Sequence, residues 1–326
     1  MKTSCCNGER TTVKYLLQNT LFQTVNRSES DENIHLHDDT VHLLPAQGTC
    51  RQILDRCDRT PTDTTKTEVE RPPHRSIEAL KQRFSNGVAE QCEWPLKNDL
   101  AESYSRAIYW GCVKDRGIEK TIKKILEANV LEDDGEVSTE VVKTYFKNAL
   151  EYNDPTFLLT AYTVENQFYR KLNSEMTNGN HRQVFKNLCG NWTGYYTGII
   201  MKNPVFDRFH FSGRLYRGIQ ISSSDYAKYK IGTAFTKTSF QSTTKSWELA
   251  KKIAGLSETI SEKLPVMLIF TIIDRRSALS IEEISEFPHE EEVLIVPGTL
   301  FMVYSINENK TPYEIELRQL EWKNEF

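Results

Sequence analysis

The sequence has 326 residues, of which 38% are hydrophobic and 26% are charged, and its formal net charge at pH 7 is -4. This length allows one large domain or two ordinary ones, with a substantial buried core. The slightly acidic balance gives no reason to expect nucleic acid as a partner. The longest apolar run, Pro265 to Ile273, is about half as long as a membrane-spanning helix requires, so no membrane partner is predicted.

The residues at the N-terminus contain no apolar segment of the kind found in secretory signals. The seven cysteines are odd in number and form no Cys-x-x-Cys pair, which favours reduced thiols in a cytoplasmic protein. Three histidines, His35, His37 and His42, stand close together but in no recognisable ligand framework, and no metal site is predicted. The sequence does not indicate an oligomeric state.

The N-terminal part of the chain falls into two segments. Residues 1–75 lack a periodic apolar pattern and are predicted to be a poorly ordered segment that ends in the linker "RTPTDTTKTEVERPPHR". From 76 to 205 the apolar spacing is helical, and Ser138 and Asp154 are predicted N-caps. The predicted helices are "SIEALKQRF", "NDLAESYSRAIYWGCVK", "IEKTIKKILEANV", "STEVVKTYFKNALEY", "DPTFLLTAYTVENQFYRKLN" and "RQVFKNLCGNWTGYYTGIIMK". The fifth is predicted to be continuous, with a core face of Phe157, Ala161, Val164, Phe168 and Leu172.

From 206 to 322 the pattern becomes that of short strands, and residues 323–326 form a tail. The predicted strand runs are "GRLYRGIQI", "TAFTKTSFQSTT", "PVMLIFTII", "EEEVLIVPG", "TLFMVYSI" and "YEIELRQL". One helix, "SWELAKKIAG" with Ser246 as its N-cap, interrupts them. Helices first and strands second predict an α+β fold with an N-terminal helical subdomain and a β-rich core.

Three consecutive glutamates stand immediately before the apolar run "VLIV". On a strand, Glu290 and Glu292 would point to one side and Glu291 to the other. Two carboxylates roughly 6.5–7 Å apart on one face suit catalysis, since one can contact a sugar and the other an incoming nucleophile. The alternative is a solvated turn before a strand, and this stretch alone does not decide between them.

Two further stretches carry groups that suit a nucleotide. Arg217 can present its guanidinium to a pyrophosphate, and Gly218 lets a ligand approach the backbone, although an exposed arginine on a strand is the alternative. The hydroxyl of Ser242 can bond a ribose or hold a carboxylate, and Phe240 can stack on a flat ring. Here the alternative is a simple cap for the helix that follows.

In this order, "LYRG", "FQSTT" and "EEEVLIVPG" resemble the three motifs of the arginine-specific mono-ADP-ribosyltransferases of the R-S-E class. That family includes vertebrate ecto-ADP-ribosyltransferases and related bacterial toxins. The helical stretches "LLTAYTVENQFYRKLN" and "VFKNLCGNWTGYYTG" resemble the family too. The resemblance covers 76–322 and implies one ADP-ribosyltransferase domain, with a helical part at 76–205 and a mixed or antiparallel β-sandwich catalytic core at 206–322.

The resemblance implies transfer of ADP-ribose from NAD to arginine side chains of an acceptor protein, with release of nicotinamide. Arg217 would bind the NAD phosphates, and Gly218 would offer backbone groups to the nicotinamide amide. Ser242 would contact the nicotinamide ribose and orient Glu292. Glu292 would hold the ribose 2′-hydroxyl and stabilise the positive charge that develops as nicotinamide leaves. Glu290 would position the acceptor guanidinium.

The resemblance leaves NADP open in place of NAD, and it leaves two alternative functions. One is an NAD glycohydrolase, in which water replaces the acceptor, and the other is a non-catalytic NAD-binding module of the same fold. The sequence departs from the family pattern in three respects. First, the middle motif ends in Thr244 instead of serine. Second, the secretory signal and lipid-anchor tail of the ecto-enzymes are missing, which favours an intracellular protein. Third, the acidic loop "SALSIEEISEFPH" carries Phe287, where an acceptor is expected to dock.

Overall fold

We describe the fold from a computed structural model of the chain. The residues it describes are 105, 108, 113–131, 137–164, 166–177, 190–255 and 263–320. All of them belong to one compact unit, Gly48–Phe326. The predicted segment 1–75 with its three histidines, the first predicted helix, almost all of the second, and the tail 323–326 lie outside the described residues.

Five α-helices whose bounds lie within the described residues come before the first strand. They are α1 (Ile118–Glu127), α2 (Val137–Glu151), α3 (Thr156–Thr163), α4 (Gln167–Thr177) and α5 (Trp192–Lys202). Their apolar faces meet in one buried cluster, which we call the helical core and which includes Ile122, Phe146, Phe157, Phe168 and Tyr196. The predicted core face of α3 and α4 is buried throughout. Helix α2 already begins at Val137, so the prediction that Ser138 caps it is wrong.

The stretch predicted as one continuous helix is two helices, α3 and α4. Val164 leaves the helical conformation with a ψ of 136°. The side chain of Asn166 then accepts a hydrogen bond from the backbone N–H of Phe168 at 2.7 Å, which starts a new helix. The apolar spacing alone concealed this break, because Val164 and Phe168 are both buried and keep the helical period across it. The carboxylate of Asp154 accepts a hydrogen bond from the backbone N–H of Thr156 at 2.9 Å, at the start of α3.

Eight strands form a single hydrogen-bonded sheet among the described residues, in the order β2-β7-β8-β4-β1-β3-β6-β5. They are β1 (Gly213–Ser222), β2 (Ala234–Thr236), β3 (Gln241–Thr244), β4 (Lys263–Ile272), β5 (Ala278–Ser280), β6 (Glu292–Ile295), β7 (Leu300–Asn307) and β8 (Tyr313–Gln319). Among the strand pairs of the described part of the chain, only β4 and β8 run parallel. Helices α6 (Ser223–Tyr226) and α7 (Trp247–Gly255) interrupt the strands, and α7 has the predicted cap, since the backbone N–H of Leu249 donates to the Ser246 hydroxyl.

The sheet is nearly divided between β1 and β3. Strand β1 pairs with β4 at ten positions, but with β3 only where Tyr216 stands opposite Thr244. We call β2, β7, β8, β4 and β1 the central sheet, and β3, β6 and β5 the side sheet. Residues from both outer edges, including Phe235 of β2 and Ala278 of β5, belong to one buried apolar cluster. The two parts therefore pack face to face, and the predicted α+β fold with a mixed, mainly antiparallel sandwich is confirmed.

The helices cover the other face of the side sheet. Phe240, Leu279 and Leu294 belong to the helical core together with residues of α1 to α5. Leu294 stands two residues after Glu292 on β6, and side chains two apart on a strand share a face. The face of β6 that carries Glu292 is thus the face on which the helical part packs. In the described part of the chain, no helix has the length and apolar character needed to span a bilayer.

Helix α7 lies directly on β1 at Gly218. A Cβ atom added to Gly218 would stand 1.9 Å from the backbone oxygen of Ala250 and 2.7 Å from the backbone nitrogen of Ala254. Both atoms belong to the helix backbone and cannot move aside as a flexible side chain can. A residue without a Cβ is therefore required for this helix to pack at this distance.

Replacing Gly218 by alanine is expected to lower the free energy of unfolding by about 1–3 kcal/mol, because α7 has to move away from the sheet. Gly190→Ala is the control, since no atom lies within 4 Å of its added Cβ. Its stability should be unchanged or slightly raised, because alanine restricts the unfolded chain. Urea unfolding followed by circular dichroism measures both values. Equal stabilities of the two variants would contradict the close packing of α7.

Candidate active site

The three motif residues meet where the sheet divides. Arg217 lies on β1, Ser242 on β3, and Glu292 at the first position of β6. The Nη1 of Arg217 donates a hydrogen bond to the backbone oxygen of Ser242 at 2.5 Å. The hydroxyl of Ser242 in turn donates to the Oε1 of Glu292. Residues that are 25 and 50 positions apart in the sequence therefore form one hydrogen-bonded chain.

The register of β3 against β6 sets the hydroxyl beside the carboxylate. Thr244 pairs with Glu292, and Ser242 pairs with Leu294. Paired residues and residues two apart share a face, so the side chains of Ser242, Thr244 and Glu292 all project from the same side. The intervening Thr243 points the other way. A slip of one residue in this register would separate the hydroxyl from the carboxylate.

Three ionisable side chains of the site are almost fully withdrawn from solvent. Glu290 and Glu292 are 0% exposed, and Arg217 is 2% exposed. Burial of a charged group is costly unless hydrogen bonds replace its water, and such groups are concentrated at functional sites. A solvated turn, the alternative that the sequence left open, does not describe Glu290 and Glu292.

The prediction that the three glutamates lie along one strand is wrong. Pro288–Glu290 is a turn of 3-10 helix, Glu291 has a left-handed φ of 46°, and β6 begins only at Glu292. Proline favours the first position of a helical turn, so the chain turns at Pro288 before the strand starts. Glu290 and Glu292 are nevertheless both buried, and Glu291 is partly exposed. The turn, and not the alternation of a strand, therefore separates the side chain of Glu291 from the buried side chains of Glu290 and Glu292.

The hydroxyl of Thr244 fixes this turn. It donates a hydrogen bond to the backbone oxygen of Glu290 at 2.8 Å and accepts one from the backbone N–H of Ser246 at 3.0 Å. Thr244 itself is fully buried. The sequence identified this residue only as a threonine in place of the serine of the family motif. Its partner lies 46 residues away, so no local pattern could have indicated the contact.

Lys245 ties the same turn to the acidic loop before it. Its backbone N–H donates to the backbone oxygen of Glu291 at 3.2 Å. Its Nζ lies 2.9 Å from the carboxylate of Glu282, an ion pair open to solvent. Sequence reasoning missed this residue. The motif Ser-Thr-Thr and Lys245 thus hold both Glu292 and the turn that precedes it.

The remaining predicted residues are occupied by packing contacts. Phe240 is buried, and its ring centroid lies 5.8 Å from that of Tyr162 and 6.2 Å from that of Tyr196. Gly218 lies against α7. These packing contacts account for a phenylalanine at 240 and a glycine at 218 without any ligand. Ring stacking by Phe240 and ligand approach at Gly218 therefore stay predictions. The side chain of Phe287 is 5% exposed, so the expectation that an acceptor docks on it is wrong for this structure.

A pocket opens inside the sandwich next to Arg217. Leu268, in its wall, pairs directly with Arg217 across β4 and β1, so the two side chains share a face. Gln241 and Lys237 supply polar groups in an otherwise mainly apolar lining, most of which belongs to the core between the sheets. Among the described residues, no group of three or more His, Cys, Asp and Glu side chains is placed to hold a metal ion.

The family model of NAD:arginine ADP-ribosyltransferases matches residues 142–325, which is more than half of the chain and includes every predicted site residue. The chain belongs to the NAD:arginine ADP-ribosyltransferase family. The resemblance seen in the three motifs is confirmed. Membership identifies the class of reaction as ADP-ribosyl transfer and NAD as its substrate.

Solved structures of bacterial ADP-ribosyltransferases are similar at low identity. HopU1 of Pseudomonas syringae is 12% identical with a TM-score of 0.42, and the match covers 62% of this chain and 97% of that one. Vis of Vibrio splendidus is 15% identical with a TM-score of 0.39, covering 67% and 91%. C3stau2 of S. aureus is 17% identical with a TM-score of 0.34, covering 57% and 95%. No curated protein sequence matches. Because these values are low, the assignment to the ADP-ribosyltransferase family rests on the family model alone.

Thr244→Val is expected to destabilise this ADP-ribosyltransferase by about 1–3 kcal/mol, because it leaves the backbone oxygen of Glu290 and the N–H of Ser246 without their buried partner. Thr244→Ser is the matched control, since it keeps the hydroxyl and restores the family pattern. It should remain within about 1 kcal/mol of the wild type. Thermal unfolding of both variants measures the difference. A Thr244→Val variant as stable as the wild type would contradict the role given to this hydroxyl.

Proposed function

We propose that the chain transfers ADP-ribose from NAD to arginine side chains of an acceptor protein and releases nicotinamide. The observation that carries this proposal is the buried chain of hydrogen bonds from Arg217 through Ser242 to Glu292. A second buried carboxylate, Glu290, stands two residues before Glu292. One carboxylate serves the sugar and the other serves the acceptor, which are the two roles that transfer requires.

Glu292 acts on the ribose of NAD. When the bond between the ribose carbon and the nicotinamide nitrogen breaks, the electron pair leaves with nicotinamide and positive charge develops on the ribose. A carboxylate fixed close to this carbon stabilises that charge without having to reorganise. The Ser242 hydroxyl fixes one oxygen of Glu292, which leaves the carboxylate oriented before the substrate arrives. Nicotinamide is cationic while it is bound to the ribose, so its departure requires no general acid.

Arg217 serves the phosphates of NAD. Its guanidinium is planar, permanently charged and suited to phosphate oxygens. The hydrogen bond to the backbone of Ser242 fixes the direction of this guanidinium. The charge of the substrate and the charge of this side chain are therefore complementary. NADP is the second nucleotide to test, because its additional phosphate requires a further cation.

Glu290 serves the acceptor. An arginine guanidinium that approaches the ribose forms a new bond from one nitrogen to the ribose carbon and loses one proton. A carboxylate next to it holds the guanidinium through paired hydrogen bonds and favours the loss of that proton. Water can replace the guanidinium in the same geometry, and the product is then free ADP-ribose.

Glu292→Gln is expected to lower nicotinamide release at least about a hundredfold, because it removes the charge that stabilises the ribose. Its stability should be retained or increased, since a buried charge is lost while the shape is kept. Glu291→Gln is the control, because this neighbouring side chain is partly exposed. Nicotinamide release from NAD, measured by chromatography, reports both. A Glu292 variant that is unfolded, or as active as the control, contradicts the role given to Glu292.

Glu290→Gln is expected to lower transfer to an arginine analogue at least about tenfold more than it lowers hydrolysis of NAD. The neutral amide of glutamine can neither form an ion pair with the acceptor guanidinium nor accept its proton. Labelled NAD with free arginine analogue allows both products to be measured in one reaction. An equal loss of both activities would refute the division of roles between the two glutamates.

The second candidate function is an NAD glycohydrolase. The observation in its favour is that Glu290 is 0% exposed, so a water molecule reaches this position more easily than a protein side chain. The same labelled reaction separates the two functions. Hydrolysis that continues unchanged with arginine analogues and with arginine-containing proteins would establish the glycohydrolase, and labelled acceptor would establish the transferase.

A further inference from the structure

We propose that helices α2 and α3 take part in acceptor handling, with Tyr145 and Thr163 as positioning residues that set the place of Glu290 through Glu286. This inference rests on the proposed transferase function and names residues outside the three motifs on which that function depends. It concerns the segment 281–290, which follows β5 and ends in the 3-10 turn Pro288–Glu290.

The loop is anchored to the helical part and not only to the sheet. Ile281 and Ile284 are buried members of the helical core. The backbone N–H of Ile281 also donates to the backbone oxygen of Glu292 at 3.0 Å. The first half of the loop is thus fixed between the helices and β6.

Glu286 is held at two points by the helices. Its backbone N–H donates to the hydroxyl of Thr163 at 3.0 Å, and its carboxylate accepts a hydrogen bond from the hydroxyl of Tyr145. The Thr163 hydroxyl donates its own proton to the backbone oxygen of Thr160 at 2.7 Å, so it is oriented to accept from Glu286. Thr163 is fully buried and Tyr145 is 7% exposed, so water competes little for these bonds.

The position of Glu286 is transmitted to Glu290 over a short distance. Phe287 follows directly, and its N–H donates to the Ser285 hydroxyl at 3.0 Å. The N–H of Glu290 then donates to the backbone oxygen of Phe287 at 3.1 Å. Two short-range hydrogen bonds, at Phe287 and at Glu290, therefore connect Ser285 to Glu290, and a shift of Glu286 displaces the turn.

Glu292 is held by further contacts that do not pass through Glu286. Its backbone pairs with Thr244 in the ladder of β3 and β6, and its carboxylate is held by Ser242. Loss of the contact between Tyr145 and Glu286 therefore affects the acceptor carboxylate and leaves the carboxylate that acts on NAD in place. A purely structural role of Tyr145 predicts an equal loss of both activities.

The test is Tyr145→Phe, which removes the hydroxyl and keeps the ring that stacks with Phe157 at 6.3 Å. We expect kcat/KM for transfer to an arginine analogue to fall about tenfold, while NAD hydrolysis changes by less than about twofold. The loss should appear in the KM for the acceptor or in kcat for transfer, with the KM for NAD unchanged. Thermal unfolding verifies that the variant is folded.

Two variants of Glu286 complete the experiment. Glu286→Gln keeps an oxygen that accepts from Tyr145, so it should retain most of the transfer activity, whereas Glu286→Ala should resemble Tyr145→Phe. The double variant Tyr145→Phe, Glu286→Ala should lose no more than either single variant, because both remove the same contact.

The outcomes separate this inference from the proposed function. If Tyr145→Phe leaves transfer unchanged, or lowers transfer and hydrolysis together, the positioning role alone is overturned. Additive losses in the double variant overturn it as well. A wild-type protein that hydrolyses NAD but labels no arginine analogue overturns the transferase function, and the positioning role with it.

Discussion

Hydrogen bonds take the place of water around the buried charged side chains, and the site depends on them. Removing an ion from water costs several kcal/mol even after relaxation of the protein. The backbone oxygen of Ser242 accepts a hydrogen bond from Arg217, and the hydroxyl of the same residue donates one to Glu292. These bonds offset part of the cost and also restrict each group to one orientation. Stability has to come from elsewhere, and two large apolar clusters, the helical core and the core between the sheets, supply it.

The incomplete pairing of β1 with β3 explains where the site lies. Across most of its length β1 is bonded on one side only, to β4, and it meets β3 at a single pair. Arg217 spans the opening with its side chain and bonds to the backbone of β3. On the far side of β3, the ladder to β6 places Glu292 beside Ser242. A cation and a carboxylate are thus brought to the two strands on either side of β3.

The sequence was sufficient to predict features that repeat locally or that follow a fixed motif. Helical period predicted α1, short β-rich runs predicted β1, β4 and β8, and the resemblance in the three motifs predicted that Ser242 holds Glu292. Two features were missed because one residue overrides the periodic pattern around it. These are the helix break at Asn166 and the turn at Pro288. Strand β5, only three residues long, was missed within a loop. The partners of Thr244 and Glu286 were missed because their contacts join residues far apart in the chain and leave no pattern in either stretch.

The parallel pairing of β4 with β8 has a consequence for how this fold can change in evolution. Parallel neighbours need a long connection, and here that connection contains β5, the glutamate turn, β6 and β7. Of these, only β7 returns to the central sheet. The segment 273–299 is therefore an excursion whose two ends are fixed by the central sheet. Insertions or deletions in its exposed parts leave the strand that carries Arg217 in place, because β1 lies in the central sheet outside this segment.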